Sequence, residues 1–390
     1  MFMLTNLKNF FTHKFNKNEL IFKPSKPLTL GAELEIQLID PSNYNLCPRV
    51  DDILKEFSNF HKIKPEIFKS FLEINSDICE TVTELEQDLL STVNILSSVT
   101  NKLGILLSST GAHPFARYED SELYSAERYK DLIDRNQWLT RRWAIYGLHV
   151  HLGMQSGDEC MQFNNFFMHF IPHMLALSGS SPFWQGMDTG LASCRPTIFE
   201  SMPTSGLPNQ GMNWRKFVHL CKTFQKCGAI KSFKDLWWDL RPSPNYGTLE
   251  IRICDGTATL KEATAIVAFI HALAHWFKDN GTWVDSFPAP PMWLLRENKW
   301  RVIRHGMEAI YVTNTEGDTK PLKDDILEWV NKIEPYITKL KYEKYFEDIK
   351  SICKNGTSSQ RQKQVFETTN SLIDVVKLNI EEFNANQPKW

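Results

Sequence analysis

Residues 28–40 read LTLGAELEIQLID. Leu28, Leu30, Ala32, Leu34, Ile36 and Leu38 take one parity while Thr29, Gly31, Glu33, Glu35 and Gln37 take the other, the period of a strand with one covered and one polar face. The same alternation returns in SFLEIN (70–75), where Leu72 and Ile74 oppose Glu73, and in GLHVHLG (147–153), where Leu148, Val150 and Leu152 oppose His149 and His151. GTLEIRIC (247–254) repeats it, with Leu249, Ile251 and Ile253 opposing Thr248, Glu250 and Arg252. Such clean alternation belongs to antiparallel sheets with one face on a core, so the expected class is α+β, an antiparallel sheet with surrounding helices.

Helical signals fill the gaps. Thr83 and Glu86 have capping-box spacing before an apolar-periodic run to Leu103, with Gly104 as a stop. A second run covers 158–177 and is interrupted by Pro172; Thr259 and Glu262 open a third that ends near Asn280. Beyond residue 290 the chain reads as further helices, with Pro321 opening one and SSQRQ (358–362) preceding the last. Residues 182–208, rich in Gly, Pro, Ser and Thr, read as a long ordered loop. Because the polar-faced strands run from about residue 29 to 254, one large catalytic domain (28–390) is expected after an N-terminal leader (1–27).

The chain has 390 residues, 42% hydrophobic and 23% charged, which excludes wholesale disorder and fibrous repeats. With 44 Lys plus Arg against 46 Asp plus Glu, it carries no global basic field, so neither nucleic acid nor anionic lipid is an expected partner. The longest nearly apolar stretch, 263–277, is broken by Thr264, His271 and His275 and falls short of the roughly 18 to 20 residues of a membrane span. Residues 1–22 are interrupted by Lys8, His13, Lys14 and Lys17, with no small-residue cleavage site after them. Eight scattered cysteines without CxxC fit reduced thiols in a cytoplasm.

The polar faces carry the chemistry. Glu33 and Glu35 lie two apart on one strand, about 6.5–7 Å from each other on one face. If Glu73 and Glu250 come from neighbouring strands, four carboxylates converge, and each pair at about 6 Å repels by roughly 3 kcal/mol at an effective dielectric of 20. Such a cluster needs cations or shared protons, and hard oxygen ligands select Mg²⁺ or Mn²⁺. The alternative is a solvent-washed acidic face. His149 and His151 either approach one metal or are structural partners of nearby carboxylates, and the flanking Gly147 and Gly153 are expected to keep that face open. His169 with His173, and His271 with His275, have helical spacing but lack HExxH, so structural roles are expected. His113 of HPF is functional or a cap, and Trp237 and Trp238 are read as buried aromatics beside an Asp239–Arg241 pair. There is no GxxxxGK[ST], no GxGxxG between strand and helix and no GxSxG, so a bound nucleotide must be held through metal ions on carboxylates plus a few arginines.

In order and spacing, TLGAELEIQLID, FLEINSDIC, GAHPF with ERY shortly after, GLHVHLG, ALSGSSPFWQGMDTGLASCRP and WDLRPSPNYGTLEIRICD resemble the type 2 glutamate–cysteine ligase family, above all its bacterial carboxylate–amine ligases. The resemblance covers 28–310 and is followed by a helical tail. It implies a fold similar to the glutamine synthetase catalytic domain, whose concave polar sheet face forms a funnel for ATP and Mg²⁺. It also implies Glu33, Glu35, Glu73, His149 and Glu250 as metal-site residues, with Glu66 as a further candidate. By the same resemblance Arg241 and Arg252 face phosphates or a substrate carboxylate, Arg195 is a candidate anion clamp, and Glu250 with Arg252 form the catalytic pair. Two positions depart from some relatives: Lys69, on the expected strand face of Glu73, stands where an acid is found, and Gly190 where an arginine is found. The implied reaction is phosphorylation of a carboxylate by ATP, then attack of an amine on the acyl phosphate, with glutamate and cysteine as model small-molecule substrates and a homodimer as a compatible assembly. The competing readings are a metal-dependent hydrolase built on His149 and His151, and a non-catalytic nucleotide or amino-acid sensor on the same fold.

Overall fold

The computed structural model describes residues 20–57, 60–280 and 289–390. Most of the expected leader, residues 1–19, lies outside the described residues. Its last part runs beside the sheet, where Lys23 N donates to Pro244 O and Ser25 N to Met154 O, both at 2.9 Å.

Seven strands form the main sheet: β1 (Leu30–Ile39), β2 (Ile63–Pro65), β3 (Phe71–Asn75), β4 (Leu106–Ser108), β5 (Leu148–Gly153), β6 (Leu240–Ser243) and β7 (Thr248–Ile251). Their order is β6-β7-β5-β1-β3-β2, with β4 pairing Gln37, Leu38 and Ile39 of β1, and every pairing is antiparallel. The alternation of β1 is realised as burial: Leu34 and Ile36 are fully enclosed, whereas Gly31, Glu33 and Glu35 on the other parity keep partial access. The apolar face packs on α1 (Val82–Leu103), α2 (Gly157–Phe167) and α4 (Leu260–Asn280), and α3 (Ile171–Ser178) packs against α4. The apolar stretch 263–277 is therefore the centre of a core helix, and among the described residues no helix is long and apolar enough to cross a membrane.

Several helix boundaries differ from the sequence reading. α1 is capped by Thr81, whose Oγ1 accepts from Glu84 N at 3.2 Å, and not by Thr83 with Glu86. Both pairs have the same spacing, but Thr81 alone stands in the extended conformation that starts a helix (φ −132°, ψ 157°), while Glu86 accepts from the Tyr345 hydroxyl at 2.8 Å. Gly104 closes α1 in the left-handed region (φ +66°), as expected. The run 158–177 is split by a 3₁₀ turn, and Pro172 lies in the first turn of α3, where its missing N–H is no loss. Thr259 Oγ1 accepts from Glu262 N at 3.0 Å at the start of α4. SSQRQ belongs to the helix Ser358–Thr369, capped by Thr357, with Leu372–Ala385 following.

The segment 182–208 contains the short strands Phe183–Trp184 and Met187–Asp188 and the short helix Arg195–Phe199. A buried carboxyl group holds it down: Asp255 accepts from Ser180 N (3.1 Å), Ser181 Oγ (2.8 Å) and Ser193 Oγ (2.8 Å). The C-terminal helices are tied to the start of α4 by Arg361, which donates to Glu382 (2.6 Å) and Glu262 (2.8 Å) in the interior.

Candidate active site

The register of the sheet assembles the polar face. Glu33 on β1 stands opposite His149 on β5, Glu35 opposite Glu73 on β3, and Glu250 on β7 opposite both His151 and Arg241 on β6. Together they form one side of a cleft of about 500 Å³ that is also lined by Lys64, Glu66, Arg128, Tyr129, Trp143, Arg195, Trp237 and Arg252. Its volume lies within the range of small-molecule sites.

Among the described residues, two groups of side chains are close enough to share an ion: Glu33 with Glu73 and His149, and Glu33 with His151 and Glu250, the potential ligand atoms in each lying within 4.8 Å of one another. Glu33 joins them, with Oε2 3.2 Å from His149 Nδ1 and Oε1 3.5 Å from His151 Nε2. Burial works to raise the Glu33 carboxyl, but the two imidazoles outweigh it and hold the group well below the ordinary carboxylate range. Burial, reinforced by the Arg252 charge, pushes His149 down to about 4, so it is a neutral donor through Nδ1. His151 shares a 2.9 Å hydrogen bond through Nδ1 with the Thr248 hydroxyl. His149 Nε2 is buried without a hydrogen-bond partner, and His151 Nε2 has only the long contact with Glu33.

At the opposite end of the acidic patch burial outweighs the nearby cations. Burial and the neighbouring Glu66 charge push Glu35 up to about 8, although its carboxylate accepts from Gly147 N at 2.5 Å. Burial also raises Glu66, which accepts from the Tyr129 hydroxyl at 3.3 Å, and burial with the Glu33 charge raises Glu73 well above the ordinary range. Glu73 has Asn75 Nδ2 at 2.9 Å and Lys64 Nζ only at 3.8 Å. Three enclosed carboxyls that resist ionisation mark a place where positive charge is wanted.

The arginines are engaged. Arg241 forks onto Glu250, with Nε at 2.9 Å and Nη2 at 2.8 Å from Oε2, and Arg252 donates to the other oxygen. Burial works to raise Glu250, and Arg241 and Arg252 together drive it down. Arg195, read as an anion clamp, donates to the carbonyls of Arg252 and Ile253 at 3.3 Å and leaves Nε without a partner.

Several expectations are corrected. Gly147 and Gly153 do not hold the histidine face open: a Cβ on Gly147 would meet Arg195 Nη2 at 2.3 Å, and one on Gly153 would meet Lys26 O at 2.3 Å, so both glycines make room for protein groups. Lys69 precedes β3 and points elsewhere, 3.2 Å from Asp51. Asp239 pairs with the buried Lys299, leaving Arg241 to Glu250. Gly190 stands at φ +70°, and Arg304 donates to its carbonyl from the helix Met292–His305. The structural readings of other histidines hold: His173 lies 2.5 Å from Asp325, His271 is 2.8 Å from the Tyr342 hydroxyl and 2.9 Å from Leu28 O, and His113 caps Ala116 N at 3.0 Å. Sequence reasoning gave no role to Lys64, Arg128 or Tyr129. β2 is three residues long, too short to show alternation, and ERY (127–129) is a recognisable motif whose side chains reach the cleft only through the fold.

Known proteins share this sequence pattern and fold. The model of the glutamate–cysteine ligase family 2 (GCS2) matches residues 29–377. A protein of Bdellovibrio bacteriovorus, named by inference glutamate–cysteine ligase 2, is 44% identical over 356 residues, covering 91% of this chain and 94% of its own. One from Gloeobacter violaceus, named in the same way, is 37% identical over 363 residues, covering 91% and 96%. Among solved structures, a glutamate–cysteine ligase from Francisella tularensis in complex with AMP superposes with a TM-score of 0.67 at 14% identity, covering 93% of this chain and 90% of that one, a likeness of fold. By the extent of the family match and the identity to these relatives, the chain belongs to the glutamate–cysteine ligase family 2.

Proposed function

We propose that the protein is an ATP-dependent carboxylate–amine ligase, with residues 28–390 acting as one catalytic unit and with glutamate and cysteine as the first substrates to try. The observation that carries this reading is the enclosed acidic patch of Glu33, Glu35, Glu66 and Glu73, set beside Arg195, Arg241 and Arg252 in one cleft of a chain from this family.

The residues suit hard dications such as Mg²⁺ or Mn²⁺. Burial raises Glu35, Glu66 and Glu73 against the pull of the nearby cations, so bound positive charge would favour their ionised forms, and the buried His149 Nε2 has no hydrogen-bond partner. Glu33, Glu73 and His149, with Glu35 and Glu66 beside them, would hold one part of the metal set, and Glu33, His151 and Glu250 another. Bound dications would supply charge neutralisation for the nucleotide's phosphates and the transferred phosphoryl group.

The chain's own contribution is position and charge. The sheet fixes the acidic residues by register, so the donor carboxylate and the nucleotide meet at a preformed surface. Arg252, pinned at its backbone by N–H donation to Asp239 O at 2.7 Å, presents a guanidinium that Glu250 keeps charged against the pull of burial, suited to phosphate charge. Trp143, which packs against both Phe199 and Trp237, forms with them an aromatic part of the cleft wall that limits water. In outline, the carboxylate oxygen attacks the terminal phosphorus of ATP, ADP leaves, and the amine displaces phosphate from the acyl carbon, giving an amide.

Both histidines share Glu33 with the acidic patch, which favours the ligase over a hydrolase centred on the histidine pair alone. The buried unpaired cysteines support a reducing cytoplasm as the working compartment. The test is ADP release with Mg²⁺-ATP, glutamate and cysteine, followed by a panel of other carboxylates and amines. If no pair yields ADP together with an amide, the ligase reading fails, and ATP binding without turnover would then support the sensor.

A further inference from the structure

Glu250 lies in the middle of a row that crosses three strands, with Arg241 on one side and His151 on the other. Its oxygens are crowded: Arg241 Nε and Nη2 reach Oε2 at 2.9 and 2.8 Å, Arg241 Nη2 reaches Oε1 at 3.0 Å, and Arg252 Nη1 also donates to Oε1. A carboxylate offers about four acceptor directions, so these contacts fill it. Yet the same carboxylate also belongs to a group of side chains close enough to share a cation. Glu33, His151 and Glu250 bring potential ligand atoms within 4.8 Å of each other, and the buried His151 Nε2 faces only the Glu33 carboxylate, 3.5 Å from Oε1.

We propose that Arg241 stands in for a dication at Glu250 in the nucleotide-free protein and leaves it when a nucleotide's phosphates arrive, which makes dication and nucleotide bind synergistically. The inference rests on the ligase reading above and adds to it the side chain that couples the two ligands. A guanidinium fork fits a carboxylate or a phosphate equally well in shape, so transfer from Glu250 to phosphate replaces one two-point contact with another. Arg241 is placed for this: Nη1 is tethered to the carbonyls of Lys234 and Leu236 at 3.2 and 3.3 Å, in the wall where Phe233 and Lys234 face the cleft. Arg252 stays on the other oxygen and keeps Glu250 oriented while Oε2 is vacated. Until then, a free dication has to compete with the fork, and by linkage the nucleotide strengthens the dication's binding by the same factor that the dication strengthens the nucleotide's.

The experiment measures Mn²⁺ binding to the full-length protein by electron paramagnetic resonance, with and without a non-hydrolysable ATP analogue, in wild type and Arg241→Met. The Mn²⁺ taken up by the analogue in solution is the same for both proteins and drops out of the comparison. Arg241→Met is expected to bind Mn²⁺ alone about tenfold or more tightly than wild type, and to lose a similar factor from the strengthening caused by the analogue. Unchanged Mn²⁺ affinity in the variant overturns the proposal. So does an equal tightening with and without the analogue, which would reflect only the lost positive field. Should the methionine variant fail to fold by circular dichroism, Arg241→Lys, which keeps the charge but not the fork, decides in the same way: unaltered coupling overturns the proposal, reduced coupling supports it. Failure of the ligase reading has a different signature, since it appears as absent ADP and amide in the wild type, whereas failure here appears as unaltered coupling in the Arg241 variants while the wild type turns over.

Discussion

Glu33 on β1 and His149 on β5 face each other in register, and the imidazole Nδ1 stands 3.2 Å from the carboxylate although the two residues are 116 positions apart in the chain. The same carboxylate touches His151, so one side chain joins the two groups able to hold an ion. Glu33→Gln keeps the shape and removes a charge from both. Amide formation is expected to fall by at least about 100-fold, with the melting temperature little changed. Near-normal turnover in a folded Gln variant would contradict the proposed role.

Glu35 makes a pH prediction with a definite sign. Burial and the Glu66 charge move it from an ordinary 4.5 up to about 8, so between these values the folded state holds a proton that the unfolded chain has released. Its contribution to stability is therefore fully present below pH 4.5 and lost as pH climbs through about 8, falling by about 1.4 kcal/mol for each pH step of one across that window. In metal-free buffer, wild type should lose stability relative to Glu35→Gln across this window in urea melts. Saturating Mg²⁺ or Mn²⁺ should flatten the difference, and parallel profiles for the two proteins without metal would refute the assignment.

Gly147 tests how tightly the floor of the cleft is built. A methyl group there would meet Arg195 Nη2 at 2.3 Å and His149 Nε2 at 3.1 Å. Gly147→Ala should displace Arg195 from the carbonyls of Arg252 and Ile253, lowering kcat/KM by about tenfold or more, because small misplacements of positioning groups are costly. Kinetics alongside thermal melts check this; wild-type kcat/KM would show that the Arg195 position is not needed.

The choice of cap for α1 is equally testable. Thr81→Ala should cost about 1 kcal/mol of stability by removing the acceptor for Glu84 N. Thr83→Ala, one position into the helix, should cost less. The reverse ranking in chemical denaturation would show that the helix starts two residues later than it does here.

Much of this protein could be read from its alternation. Leu34 and Ile36 against Glu33 and Glu35, or Val150 against His149 and His151, announce strands whose polar parity faces one way, because strand side chains repeat every two residues whatever lies across from them. The acidic members of the cleft and the class of fold followed from that local rule together with the family motifs. The capping of α1 did not, since two Thr-x-x-Glu pairs two residues apart are equivalent until one of them adopts extended backbone angles. Lys64 was invisible for a related reason, as a three-residue strand carries too few positions to show a period, and Arg128, at the start of the ten-residue helix Glu127–Asn136, is brought to the cleft only by the fold.

Partnerships belong to the tertiary structure. Local sequence puts Glu250 on a polar strand face and pairs Arg241 with Asp239, but only strand register sets Arg241 opposite Glu250 and turns a candidate metal ligand and a candidate phosphate-facing arginine into an ion pair. It likewise brings His151 into the group with Glu33 and Glu250, and it assigns Gly147 to the Arg195 guanidinium. The physical reason is range: side-chain parity is set by neighbours in the chain, whereas burial, pairing and the resulting shifts of charge depend on residues brought together from distant positions, and electrostatic energies change steeply with each ångström of that approach.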